Sequence, residues 1–263
     1  MNKLTIRSLI YSACATTFLL CIPAHAKKGE SKSPILADEE AFLVRRIAEF
    51  WKDQDFSIVK MQILDFLDQF PESSQKNELL GMLGDIYLYE KNFSSALSNY
   101  LFINKAEIKE QTLINKLQCF YELDMYHELA KEGSPYLNSR SETLMDRKNE
   151  LYFLVAEGYF RQCVATVSLN EKKDLAQKAN QAYELIEDSG YKKVSFIAFA
   201  ETYSIIGNYE KSADMFRSLA EKHPDMKDEF LFQAACNESR YNSEIASETF
   251  TRHRQAYDNI PII

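Results

Sequence analysis

The stretch Leu83-Gly84-x-x-Tyr87, followed by Asn92-Phe93, Ala96 and Tyr100, constrains this chain more than any other, because it recurs. A second copy reads Phe199-Ala200-x-x-Tyr203, Gly207-Asn208-Tyr209, Ser212-Ala213, Phe216 and Pro224. Each copy spells a helix, a tight turn and a second helix. Small residues stand where the two helices touch, and aromatics where one pair packs on the next. Such a unit cannot bury its apolar face alone, so copies must stack. A stack of helical pairs offers a long surface and no preformed catalytic pocket, which points to binding.

The first-helix aromatic serves as a ruler for further copies. It falls at Phe50, Tyr87, Phe120, Tyr159 and Tyr203, with Asn237 in the matching place at the end. Turn aromatics follow at Phe56, Phe93, Tyr126 and Tyr209. Compact second-helix residues follow at Val59, Ala96, Ala130, Ala179, Ser212 and Ala246, and bulky ones at Ile63, Tyr100, Tyr183, Phe216 and Phe250. Pro71 and Pro224 each lie 21 residues after their ruler, where proline stops a helix. The third copy is degenerate, with Asp124-Met125 before Tyr126. The fourth carries about eleven extra residues between Tyr159 and Ala179, which either project a loop or lengthen a helix.

These residues resemble the tetratricopeptide repeat, whose hallmarks are the Leu-Gly-x-x-Tyr stretch, the Gly-Asp/Asn-Tyr turn and the closing proline. The resemblance spans roughly residues 38–255 and implies an all-α, right-handed superhelical solenoid of about six hairpins. Gly84, Tyr87, Phe93, Ala96, Tyr100, Tyr203, Gly207, Tyr209, Phe216 and Pro224 are the repeat-defining structural residues. The repeat domain is expected over 38–263, behind a disordered polar linker at 27–37. Asp38-Glu39-Glu40 read as the cap of its first helix.

Residues 1–26 read as a signal peptide. Lys3 and Arg7 precede an apolar run from Leu9 to Ile22, and Ala24-His25-Ala26 supplies a small-x-small cleavage site. Cleavage near Ala26 places the protein in the periplasm or outside the cell. Acylation of Cys21 is the alternative, although Leu20 departs from the usual lipoprotein box. Cleavage takes the formal net charge from −8 to −10, because Lys3 and Arg7 leave and no acid does. An acidic chain without a basic stripe excludes nucleic acid as a partner and favours a protein or peptide with a basic region. No mature segment is apolar for long enough to span a membrane. Cys119, Cys163 and Cys236 sit among apolar neighbours and read as buried free thiols rather than a bridge.

Nothing in the sequence announces catalysis, so no enzyme and no cofactor or metal are expected. His127, His223 and His253 are scattered, and Gly-x-Ser-x-Gly, His-Glu-x-x-His and phosphate-cradling loops are missing. In the family resembled, first helices line a concave groove. Carrying that register across gives a row Ala48, Asp85, Gln118, Glu157, Glu201, Ala235. A second row is Trp51, Leu88, Tyr121, Phe160, Ser204, Glu238, and Tyr89, Glu122 and Arg161 lie beside them. From these, Trp51, Asp85, Tyr89, Gln118, Tyr121, Glu157, Phe160, Arg161 and Glu201 are the candidate partner-binding residues. Acids beside aromatics suit a peptide carrying Lys or Arg and an apolar anchor. Export and acidity resemble periplasmic scaffolds of this family, some of which help assemble outer-membrane proteins while others coordinate constriction with wall synthesis. A lipid-anchored assembly subunit or an exported effector or chaperone-like protein are the alternatives.

Overall fold

The computed structural model describes residues 34–139, 146–242 and 251, and the regular elements among them are all helical. Eleven α-helices run in order: α1 (Pro34–Lys52), α2 (Phe56–Gln69), α3 (Lys76–Tyr89), α4 (Phe93–Phe102), α5 (Glu110–Glu122), α6 (Tyr126–Gly133), α7 (Lys148–Ala165), α8 (Leu169–Glu184), α9 (Ser189–Ile206), α10 (Tyr209–Lys222) and α11 (Lys227–Glu238). They form two compact units dividing between Leu123 and Asp124, with α1–α5 in one and α6–α11 in the other.

Every ruler position falls near the end of an odd-numbered helix, and four turns that follow share one backbone conformation. Gln54, Lys91, Asp124 and Gly207 have φ of 59°, 61°, 59° and 94°. Asp55, Asn92 and Asn208 come next, and each donates its N–H to the carbonyl of the ruler five residues back, at 3.1, 2.8 and 2.9 Å. The same three side chains accept from the amides of Ile58, Ser95 and Lys211. One residue therefore closes one helix and opens the next. The left-handed position costs roughly 1–2 kcal/mol for a residue with a Cβ. Only Gly207 avoids that cost, so the turn bonds and packing offset it elsewhere. The degenerate turn keeps the left-handed Asp124 and loses the cap, since Met125 has no acceptor. Asp124 instead takes the Tyr126 hydroxyl at 2.5 Å.

Packing explains the small and bulky positions. Val59, Ala96, Ala130, Ala179 and Ser212 are all buried, as are Ile63, Tyr100, Tyr183 and Phe216. Ala246 and Phe250 lie outside the described residues. Gly84 is required by close approach: a Cβ there would stand 2.3 Å from Tyr100 Cε1. In the first unit, Ile47, Val59, Ile63, Phe66, Leu79, Met82, Leu83 and Ile86 form the core. In the second, Ala200, Ala213, Phe216, Leu219, Ala220, Phe230 and Ala234 form the core around α9–α11. Helices α2 and α10 stop at Gln69 and Lys222, with Phe70 and His223 as C-caps immediately before Pro71 and Pro224.

Two boundaries differ from expectation. Residues 34–37, placed in the polar linker, are helical; Pro34 is tolerated in a first turn, where its missing N–H has no partner to lose. Asp38-Glu39-Glu40 consequently lie a turn inside α1 instead of capping it. Glu40 accepts the Ser73 hydroxyl at 2.5 Å, a bond to the turn between α2 and α3 rather than a cap. The signal peptide 1–26, Cys21 and residues 27–33 lie outside the described residues.

The eleven extra residues of the fourth hairpin are helix. Helix α7 runs six residues past Tyr159, whereas α3 runs two past Tyr87. Helix α8 begins ten residues before Ala179, whereas α4 begins three before Ala96. A small core of Cys163, Leu175 and Ala176, with Tyr159, Ile205 and Ile206 against it, supports the extension. Cys119, Cys163 and Cys236 are free thiols, the first two buried.

Candidate functional site

The acidic row two residues before the rulers is turned mostly inward. Asp85 accepts the Tyr100 hydroxyl at 2.6 Å and the Asn115 amide at 2.7 Å, both on Oδ1, tying α3 to α4 and α5. Burial and the neighbouring Asp85 carboxylate push the Tyr100 phenol well above its ordinary range, so it stays a donor at neutral pH. Glu157 is buried and accepts the Tyr183 hydroxyl at 2.7 Å, tying α7 to α8. Its second oxygen takes the Arg161 guanidinium at 3.2 Å. In both hairpins a carboxylate before the ruler meets a tyrosine at the bulky second-helix position. A charged acceptor for a buried phenol is a strong bond and a costly one to lose.

Where that tyrosine is missing, the row behaves differently. The fifth hairpin has Phe216 in the tyrosine's place, and Glu201 remains exposed. Burial nonetheless raises the Glu201 carboxyl above its ordinary 4.5, Arg161 opposing the shift and Glu157 adding to it. In the third repeat the register places Gly133 at the tyrosine position. Gln118 is fully buried, and among the described residues neither its amide nitrogen nor its oxygen has a hydrogen-bond partner.

The aromatic candidates divide by exposure. Tyr121 and Phe160 are buried. Trp51 and Tyr89 meet at the turn end of the first two hairpins, through Phe56. The Trp51 and Phe56 rings are edge-on at 5.6 Å, and Phe56 lies 5.4 Å from Tyr89. Tyr89 is 68% exposed, a phenol held in place by Phe56 and open to solvent. Lys60 beside it pairs with Glu90 at 2.6 Å and sits over the Tyr87 ring. Of the nine candidates, then, Tyr89 and Glu201 are exposed, Trp51, Asp85 and Arg161 are half-buried, and Gln118, Tyr121, Glu157 and Phe160 are interior. Among the described residues no group of three His, Cys, Asp or Glu is placed to hold a metal ion, and no helix is long and apolar enough to cross a membrane.

Sequence reasoning missed two charge pairs that each hold a buried glutamate. Arg147 meets Glu150 through two bonds of 2.7 and 2.6 Å at the start of α7. Arg217 bridges Asp214 and the fully buried Glu238. The Glu238 pair bonds a residue expected in the groove's second row to the preceding helix. Arg147 and Glu150 stand three residues apart at a helix start, a spacing that could have suggested the pair.

The sequence matches no protein-family model and no curated protein. Among solved structures, a tetratricopeptide repeat protein from Parabacteroides merdae aligns with a TM-score of 0.50 at 15% identity. The alignment covers 82% of this chain and 78% of that one. Together with the recurring hairpins, this likeness assigns an all-α fold of the tetratricopeptide type.

Proposed function

We propose that the protein is a non-enzymatic scaffold of the bacterial cell envelope that captures a partner protein or peptide on the first-helix face of its hairpins. The observation that carries this reading is the Trp51–Phe56–Tyr89 cluster. It is an aromatic surface on a rigid helical support, with Tyr89 held by a neighbouring ring and left exposed. Aromatic side chains give contact area at low entropy cost, and acidity favours a partner with a basic region. Export follows from the reading of residues 1–26, with cleavage near Ala26 and Cys21 acylation as the lipid-anchored variant.

The test is site-specific photo-crosslinking in cells, with the probe at Tyr89 and, as control, at the exposed Asp68 on α2. A discrete adduct from Tyr89, absent from Asp68 and lost with Trp51→Ala, is the expected result. Adducts equal at both positions, or none at Tyr89, would overturn the proposal. The intact mass of the recovered protein, starting at Lys27 or carrying lipid on Cys21, separates the two envelope forms.

A further inference from the structure

We infer that the end of the extended α7–α8 hairpin docks on an anionic phospholipid surface. This goes beyond peptide capture and involves a different part of the molecule. Relative to the second hairpin, α7 continues four residues further and α8 begins seven residues earlier, about 6 and 10 Å at 1.5 Å per residue. The hairpin therefore protrudes within its own unit, and its end is apolar. Val164, Val167 and Leu169 are 56%, 101% and 66% exposed, within six residues of sequence. Isolated apolar side chains on a surface need no explanation, but three at one protruding end mark a contact.

Charge selects the kind of surface. Lys172 and Lys173 follow on the first turns of α8, and neither has an ion-pair partner among the described residues. In a chain of net charge −8 they make a local excess of positive charge beside the apolar end, where Lys172, Lys173 and Lys178 outnumber Glu171 and Asp174. The acids of the rest of the molecule act weakly there, since exposed charges beyond a Debye length of about 8 Å are screened at physiological salt. The nearest acid, Glu171, is turned back to accept the Thr166 hydroxyl at 2.8 Å, and Asp174 pairs with Lys178 at 2.7 Å.

Part of the backbone around the link is already hydrogen-bonded within the hairpin. Thr166 donates its N–H to Gln162, the Ser168 carbonyl accepts from the Lys172 amide, and the Lys172 carbonyl accepts from the Cys163 thiol. These paired groups need not be stripped of water on entering the headgroup boundary, whereas the uncapped first amides of α8 stay with the hydrated headgroups. A convex end of aliphatic side chains flanked by lysines fits a bilayer, which deforms around it, better than a rigid protein face, which would need a matching pocket. Short apolar insertion combined with attraction to anionic lipid gives reversible surface binding, not anchoring.

Flotation of the purified protein with equimolar phosphatidylglycerol–phosphatidylcholine vesicles tests this, against pure phosphatidylcholine and at low and high salt. The protein is expected to float with the anionic vesicles at low salt and to be released by high salt. Lys172→Gln and Lys173→Gln should each weaken partition about fivefold, the equivalent of about 1 kcal/mol per lysine. Val167→Asp, at a position outside any helix and fully exposed, should abolish flotation without shifting Tm, while Tyr89→Ala should float like wild type. Wild type that stays with the soluble fraction, or Val167→Asp that floats unchanged, would sink the inference. So would a photo-crosslinker at Val167 that traps a protein in cells while vesicles capture nothing, which would make the end a protein knob.

Discussion

The second and fourth hairpins share an interior and differ at their ends. In both, an alanine of the second helix is fully buried against the first, and a second-helix tyrosine gives its hydroxyl to the carboxylate before the ruler. The α3–α4 turn is three residues with a left-handed Lys91 and an Asn92 cap. The α7–α8 link is also three residues, yet Thr166 and Ser168 are extended and no side chain caps α8. Packing is thus counted outward from the contact between the helices, and the turn does not set it. Extra residues can be absorbed as helix beyond the core provided both helices lengthen together. What the longer hairpin gives up is enclosure: its added turns rest on a small core and leave valines and a leucine in water.

The sharpest way to break this comparison is at the glycines. In Gly84→Ala the new methyl would meet the Tyr100 ring at 2.3, 2.7 and 2.8 Å, and that ring is buried and cannot swing away. Overpacking of this kind outweighs the helix propensity gained, so a net loss of about 2–3 kcal/mol is expected. Gly158→Ala meets the Leu129 side chain at 3.1 Å and the Ala130 nitrogen at 3.3 Å, contacts that yield by tenths of an ångström. Its net effect should stay within about 1 kcal/mol, because the propensity gain of up to ~1 kcal/mol opposes the strain. Urea unfolding of both variants decides; equal losses would mean that the Tyr100 ring gives way as readily as Leu129 on α6.

A smaller effect separates the two tyrosine–carboxylate bonds. Tyr183→Phe leaves a buried Glu157 with Arg161 as its remaining partner, and should cost about 1–3 kcal/mol. Tyr100→Phe should fall toward the lower end of that range, because the half-exposed Asp85 keeps Asn115 and can recruit water. A double-mutant cycle with Glu157→Gln isolates the pair from the rest of the hairpin. No coupling between residues 183 and 157 would reduce this bond to a bystander of packing.

Much of this interior was legible beforehand, because the small, bulky and proline positions answer to steric rules that act at fixed spacing. Three of the four left-handed turn residues were not, since Gln54, Lys91 and Asp124 carry none of the signal that Gly207 does. The acidic row misled for a related reason. A carboxylate at a groove register reads as a solvated face until its tyrosine is counted, and Tyr183 stands 24 residues after Tyr159 where Tyr100 stands 13 after Tyr87. The extension hides that equivalence. The aromatic cluster was half visible: Trp51 and Tyr89 were placed by register, whereas Phe56, read as a turn aromatic, joins them only once the first two hairpins are packed.

The fifth hairpin carries the comparison to its smallest effect. Phe216 offers no hydroxyl, so Glu201 lacks what Asp85 and Glu157 have, and burial raises its carboxyl despite Arg161. A folded-state pKa above the unfolded one means that the native state binds this proton more tightly than the unfolded chain does. The resulting stabilisation is fully present below the ordinary 4.5 and is lost as pH rises through the raised value. At neutral pH the charged side chain therefore works slightly against folding. Glu201→Gln should raise Tm at pH 7, and the gain should shrink as the pH is lowered past the carboxyl's titration. The same substitution at Glu157, whose charge is bonded by Tyr183 and Arg161, should lower Tm at pH 7. If Glu201→Gln also lowered it, the exposed acid would have a partner as firm as those of the other two hairpins, and the missing tyrosine would explain nothing.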